Sequence, residues 1–146
     1  METKFGLSGH LKLENSRTGE VRDIPNTIMD VGRSAVASMI GSDVASTVAF
    51  DYMSIGISGI AAAVAQTALG SEQVRVLTTS AQTTSGVTND TATFIGSLGI
   101  SGTHSIVEAG IFNATSAGSM LARTTFAALS VISGDFINGT WDVTVA

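Results

Sequence analysis

Cysteine is absent from this 146-residue chain, which removes disulfide frameworks, thiolate metal sites and thiol nucleophiles together. The fold has to hold by packing alone, and a chain of this length buries roughly two thirds of its unfolded surface around one core. Charge is the next shortage. Lys, Arg, Asp and Glu make up 13% of the residues, against roughly 25% in an average soluble domain, and the mean hydropathy is +0.37. Ser, Thr, Gly and Ala fill the gap, small residues that lie against another protein with little entropy or desolvation cost. The composition reads as a surface partly hidden by neighbours.

Positive charge is scarcest. The seven Lys and Arg are spread singly from Lys4 to Arg123 and the formal net charge is −5, so no basic stripe exists to track a phosphate backbone, and nucleic acid is not an expected partner. Long apolar runs are missing as well. The longest, Ile60-Ala-Ala-Ala-Val-Ala65, falls far short of the roughly 20 residues that span a bilayer, so no membrane is expected either. Residues 1–20 contain Glu2, Lys4, His10, Lys12 and Glu14, which leaves no apolar signal-peptide core and predicts synthesis and folding in the cytoplasm.

What is present is mostly strand grammar. In Phe5-Gly-Leu7-Ser-Gly-His-Leu11-Lys-Leu13 the apolar residues take the odd positions, a period of two that turns one face inward. Asn15-Ser-Arg-Thr-Gly19 supplies turn formers, and Glu20-Val-Arg-Asp-Ile24 resumes an extended pattern up to the single proline, Pro25. Residues 1–24 therefore read as an amino-terminal hairpin and a candidate arm, whose deletion is expected to weaken assembly more than folding. Thr27 followed by Asp30 resembles a capping box. Ile28, Val31, Ala35 and Met39, with Val36 and Ile40 beside them, predict one short helix near residues 28–40, closed by Gly41.

Ala49 to Ile57 reads as a strand, and Gly59 to Glu72 as a loop with a short helix. From Gln73 onward the texture is uniformly β. Strands are expected at 74–79, 91–100, 104–112, 120–129 and 136–145, and the polar stretch 78–90 is either a long exposed loop or the extended edges of a hairpin. The whole reads as one mainly β domain over residues 1–146, an antiparallel β-sandwich of which a jelly roll is one form. Phe94, Phe112, Phe126, Phe136 and Trp141 are its expected core aromatics. Asn138-Gly139, a favoured hairpin dipeptide, is the one feature that would split the last strand.

The chain holds few groups suited to chemistry. Nucleophilic catalysis needs a hydroxyl beside an oriented base. The only histidines are His10, on the polar face of the first strand, and His104, in a turn; no Gly-x-Ser-x-Gly elbow exists. Glu72, Asp90, Glu108, Asp135 and Asp142 are the acids from which a glycosidase-like pair would be drawn, although Asp90 and Asp135 sit at turns, where carboxylates commonly bond the local backbone. No EF-hand or paired-histidine spacing is present, and Gly56-Ile-Ser-Gly59 lacks the Lys and the spacing of a phosphate loop. No catalytic residue, metal or cofactor is therefore assigned. Asn89, Asn113 and Asn138 open Asn-x-Thr sequons that a Thr-rich chain produces by chance. Glu108 stands out because it interrupts an apolar strand, Ile106-Val-Glu-Ala-Gly-Ile-Phe112, and a buried carboxylate must find donors. Arg123, cross-strand, is the expected partner in a structural ion pair.

Thr18-Gly-Glu-Val-Arg-Asp-Ile-Pro-Asn26, Glu108-Ala-Gly-Ile-Phe112, Met120-Leu-Ala-Arg-Thr-Thr-Phe126, Ser133-Gly-Asp135 and Trp141-Asp-Val-Thr144 resemble segments of small virion proteins of tailed phages. The resemblance covers about half the chain, and Asn138-Gly139 departs from the continuous last strand usual in that group. It implies a sandwich that multiplies by symmetry: a non-enzymatic homo-oligomer in the virion, with other virion proteins, above all the major capsid protein, as partners. A capsid decoration or cement protein is the leading expectation, and a tail, connector or fibre component suits the same composition. The rival of another class is a carbohydrate-binding jelly roll that stacks Trp141 or Tyr52 on a sugar.

Overall fold

The first and the last of the alternating strands lie side by side. In the computed structural model, which describes residues 6–41 and 48–146, β1 (Leu7–Asn15) pairs antiparallel along its whole length with β10 (Phe136–Val145). Phe5, at the start of the expected first strand, lies outside the described residues. With β2 (Val21–Pro25), β7 (Thr91–Gly99) and β6 (Thr79–Thr83) these strands form sheet A, in the order β2-β1-β10-β7-β6. Sheet B runs β3-β9-β8-β4-β5, from β3 (Thr27–Ile28), β9 (Met120–Val131), β8 (His104–Phe112), β4 (Tyr52–Gly56) and β5 (Glu72–Leu77). The two antiparallel sheets face each other as a β-sandwich. Its described strands number ten, where a jelly roll has eight.

The core lies between the sheets. Leu11, Leu13, Leu98, Ile137 and Trp141 from sheet A meet Met53, Ile55, Ile106, Ile111 and Leu129 from sheet B, all of them fully buried. Phe94 and Phe112 are also buried, and Phe126 is half-buried against the same core. Phe136 is a correction: it is 51% exposed. The cause is phase, because Ile137, Gly139, Trp141 and Val143 turn inward at every second residue of β10 and Phe136, one residue out of step, turns outward. There it lies over Gly99, its register partner.

Several expected boundaries move for physical reasons. Asn138-Gly139 does not turn, since β10 is flanked on both sides, Gly139 standing opposite Leu13 and Gly96, and a turn would break both ladders. Its missing side chain makes room for the Met53 sulfur, which a Cβ would overlap. Thr27 is not a helix cap. It pairs with Arg123 as part of β3, and α1 (Asp30–Gly41) begins after Met29, whose carbonyl accepts from the Arg33 amide. Gly32 and Ala35 carry the helix onto β9, so closely that a Cβ on Gly32 would overlap the Leu121 backbone. The expected strand at 74–79 changes sheets at Thr78, whose amide and hydroxyl both donate to the Asp51 carbonyl; β5 stays in sheet B and β6 crosses to pair with β7. The short helix expected within 59–72 is not formed, and the segment runs as a loop.

The amino-terminal hairpin is built into the sandwich and does not project from it as an arm. β1 sits between β2 and β10, with Leu11 and Leu13 fully buried. Deleting residues 1–24 would strip an inner strand and attack the fold before any assembly.

Candidate functional site

The most organised polar cluster is built around Glu108. A β8 strand buried on both faces leaves this carboxylate without water, and accordingly Glu108 is 0% exposed and Arg123 1%. The two side chains lie 2.8 Å apart across the β8–β9 ladder, and the guanidinium Nε also donates, at 3.2 Å. Backbone amides supply the rest: Ser58 (3.1 Å) and Ser71 (2.8 Å) donate to Oε1, and Gly70 (2.9 Å) to Oε2. Burial pushes the Glu108 carboxyl upward, but Arg123 and the three amides outweigh it and hold the group below its ordinary range.

These donors all belong to one loop, residues 57–71, which closes at its neck through the Ile57 amide and Ser71 carbonyl (3.0 Å). Arg123 reaches the same loop from below, donating to the Ile60 carbonyl (2.8 Å) and to Gln66 (2.9 Å). Leu69 inserts beside Met29, Phe112 and Met120 in a second apolar cluster, and the Asp30 amide at the start of α1 donates to the Val64 carbonyl. Gly56, in register with Glu108, leaves space for the carboxylate, because a Cβ there would overlap Oε1 and the Ser71 carbonyl. The ion pair is thus the peg on which a loop with ends held together covers the outside of sheet B.

Glu72 faces Gly56 from the other side, so the structure brings two of the five candidate acids into one row. Each carries its own arginine. Glu72 forms a two-pronged bond with Arg75 and accepts the Ser54 hydroxyl, while Arg75 stacks 3.7 Å above the Phe112 ring and donates to the Ala114 and Ala117 carbonyls. The other acids are apart and locally engaged. Asp90 accepts from the Ser85, Gly86 and Val87 amides, which hold its carboxyl below the carboxylate range and close the loop between β6 and β7. Asp135 is buried and takes Arg17 (2.5 Å), Asn15 and the Ile132 amide, with the same downward direction. Asp142 accepts from Thr93.

Neither histidine faces a hydroxyl. His10 contacts Asp23 at 2.8 Å on the open surface, and His104 contacts the Ser101 carbonyl. Trp141 is fully buried with its indole donating to Asn26 at 2.6 Å, so it offers no ring to a sugar, and Tyr52 packs against the Leu69 cluster. Among the described residues no group of three or more His, Asp or Glu converges as a metal site, and no helix is long and apolar enough to cross a membrane.

The surface that sequence reasoning missed is the outside of sheet A. Its central row runs Asp23, Lys12, Thr140, Ile95, Thr79 across the five strands. Charge ends at β10. Beyond it stand Thr79, Ala81, Ile95, Ser97 and Gly99, all exposed, with Ile95 at 53% and Phe136 beside them. Hydroxyls link to one another there, Thr83 to Thr93 and Thr91 to Thr144, each at 2.8 Å. The signal was available in the outward phase of β7 and β10, but an alternating strand shows which residues share a face and not what lies over that face.

No protein-family model matches the chain, and neither a curated protein nor a solved structure matches it. Fold and polar clusters together define a small antiparallel β-sandwich that, among the described residues, has one face covered by its own chain and one face bare.

Proposed function

We propose that the protein is a non-enzymatic structural component of a tailed-phage virion, and within it a capsid decoration or cement protein that joins neighbouring shell subunits. The observation that carries the reading is the bare half of sheet A, where Ile95 and Phe136 stand among uncharged Thr, Ser, Gly and Ala side chains. Such a surface loses little side-chain entropy and few hydration contacts when a partner covers it, while core-like interface patches are depleted in charge. The resemblance of five segments to virion proteins supplies the particle. No reaction is involved. Modest burials repeated around a closed shell sum through avidity and oppose the pressure of the packaged genome.

Incubation of the purified protein with empty tailed-phage capsids that lack it, followed by sedimentation, tests the proposal. Co-sedimentation at a fixed ratio to the shell subunit is expected, with loss of binding when Ile95 and Phe136 are both changed to Lys. Protein left entirely in the supernatant overturns the decoration role.

A further inference from the structure

An open sandwich has four strand edges, and an exposed edge offers unpaired amides and carbonyls to any passing strand, so edges are normally guarded by charge, proline, bulges or brevity. Three of the four edges here are guarded. β2 carries Arg22, Asp23 and Pro25, β3 is two residues long and runs into the helix, and β5 carries Glu72 and Arg75. β6 has none of these devices. Its sequence is Thr79-Ser-Ala-Gln-Thr83, every residue is exposed, and its register with β7 runs without a bulge. Among the described residues no segment pairs with its outer rim.

The same five residues complement themselves. Laid antiparallel to a second copy about Ala81, Thr79 falls opposite Thr83 and Ser80 opposite Gln82, while Ala81, the smallest, meets its own image on the two-fold axis. Thr–Thr and hydroxyl–amide pairs are favourable cross-strand neighbours, and no charge meets its like. The guarded edge β2 behaves in the opposite way, since the same operation about its centre sets Asp23 against Asp23. For a chain with a net charge of −5, a neutral edge is the place where two copies approach with least repulsion.

We propose that β6 is the seam between two copies of this chain, joined antiparallel by an isologous contact centred on Ala81, which fuses two A sheets into one continuous sheet. The seam deepens the assembly reading above and rests on it, because it sets the two neutral half-faces edge to edge and doubles the surface offered to a shell. Five residues a side lie well under the roughly 1,200–2,000 Å² of a standard stable interface, so the contact in free solution is weak and is reinforced by local concentration on a particle.

The native chain has no cysteine, so any disulfide in Ala81→Cys is intermolecular. Residues directly opposite in antiparallel strands have Cα atoms about 4.5–5.5 Å apart, within the span of a disulfide. Mild oxidation of Ala81→Cys is expected to give a covalent dimer far faster than Ser16→Cys, placed in the exposed β1–β2 turn. Light scattering across a concentration series is expected to show Ala81→Lys raising the dimer dissociation constant about fivefold, and a mixture of Ala81→Lys with Ala81→Glu recovering association. Equal oxidation rates for the two cysteine variants, or a molecular mass unchanged by either charge, overturn the seam. Capsid binding by a protein that fails these tests leaves the virion reading standing without the seam, whereas cross-linking by a protein that ignores capsids retains the seam and removes that reading.

Discussion

The outsides of the two sheets solve one problem in opposite ways. Both sheets are antiparallel and five-stranded, yet β4 and β8 of sheet B bury residues on both faces while β10 of sheet A alternates buried with exposed. A strand that is apolar on both faces needs a second cover. Sheet B obtains it from residues 57–71, fastened by Glu108 and Arg123. Sheet A has no such loop among the described residues and meets solvent with threonines, serines and glycines. Outside sheet B the side chains are committed to folding, whereas outside sheet A the hydroxyls of Thr83, Thr91, Thr93 and Thr144 bond within the sheet and Ile95 and Phe136 stay exposed to a partner.

The cover over sheet B is most vulnerable at the peg. Replacing Glu108 by Ala strands a buried guanidinium and releases three amides together, and loss of one partner from a buried pair costs about 3–5 kcal/mol. Urea denaturation of Glu108→Ala is expected to show a loss of that size; a loss under about 1 kcal/mol would mean that the loop is held by its apolar contacts alone.

Gly56→Ala attacks the same cover more gently. The added Cβ overlaps the Glu108 carboxylate and the rigid Ser71 carbonyl, and overpacking of this kind costs about 1–3 kcal/mol. Its diagnostic readout is local. Amide exchange at Ser58, Gly70 and Ser71 is expected to rise well before exchange in β1 and β10 does, and uniform acceleration would instead place Gly56 in the global fold.

Acid should sharpen the contrast without a mutation. Glu108 is held below its ordinary value of 4.5, so its contribution is fully present above that pH and is lost as the pH falls through the lower, folded value. Stability of the native protein is expected to decline below about pH 4.5 more steeply than that of Glu108→Gln, whose uncharged amide does not titrate. Asp90 and Asp135 are likewise held down but titrate in both proteins, so the difference in slope belongs to Glu108. Parallel slopes would show that the peg carries no proton-linked energy.

How much of this was legible follows from the two faces. A strand buried on both sides with a lone Glu in it advertises a need for donors, and the strand that follows, Met120–Val131, carries a single cation, so Glu108 and Arg123 were readable as a pair. The three loop amides were not, because Ser58, Gly70 and Ser71 carry no chemical mark of their own; they become a site only when the chain between them folds back. The alanine-rich stretch gave a competing helical signal, which lost to the bonds by which Glu108 gathers both ends of the loop, Ser58 at one and Gly70 and Ser71 at the other. Phe136 was misplaced by its residue type, although the phase of Trp141 in the same strand already set it outside. The sheet switch at Thr78 had no local signature, since the Asp51 carbonyl that captures it lies far back in the chain.

The smallest expected effect on folding is the most informative about function. Ile95→Ser and Phe136→Ser each remove an exposed apolar side chain that lies outside the sandwich core, and surface changes of that kind stay within about 0.5 kcal/mol. A double variant is therefore expected to melt with the native protein while losing its place on empty capsids, so that folding and binding separate cleanly across sheet A as they cannot across sheet B. A stability loss approaching that of Glu108→Ala would mean that these side chains are held by the chain itself, and the bare face would then be a second cover and not a docking surface.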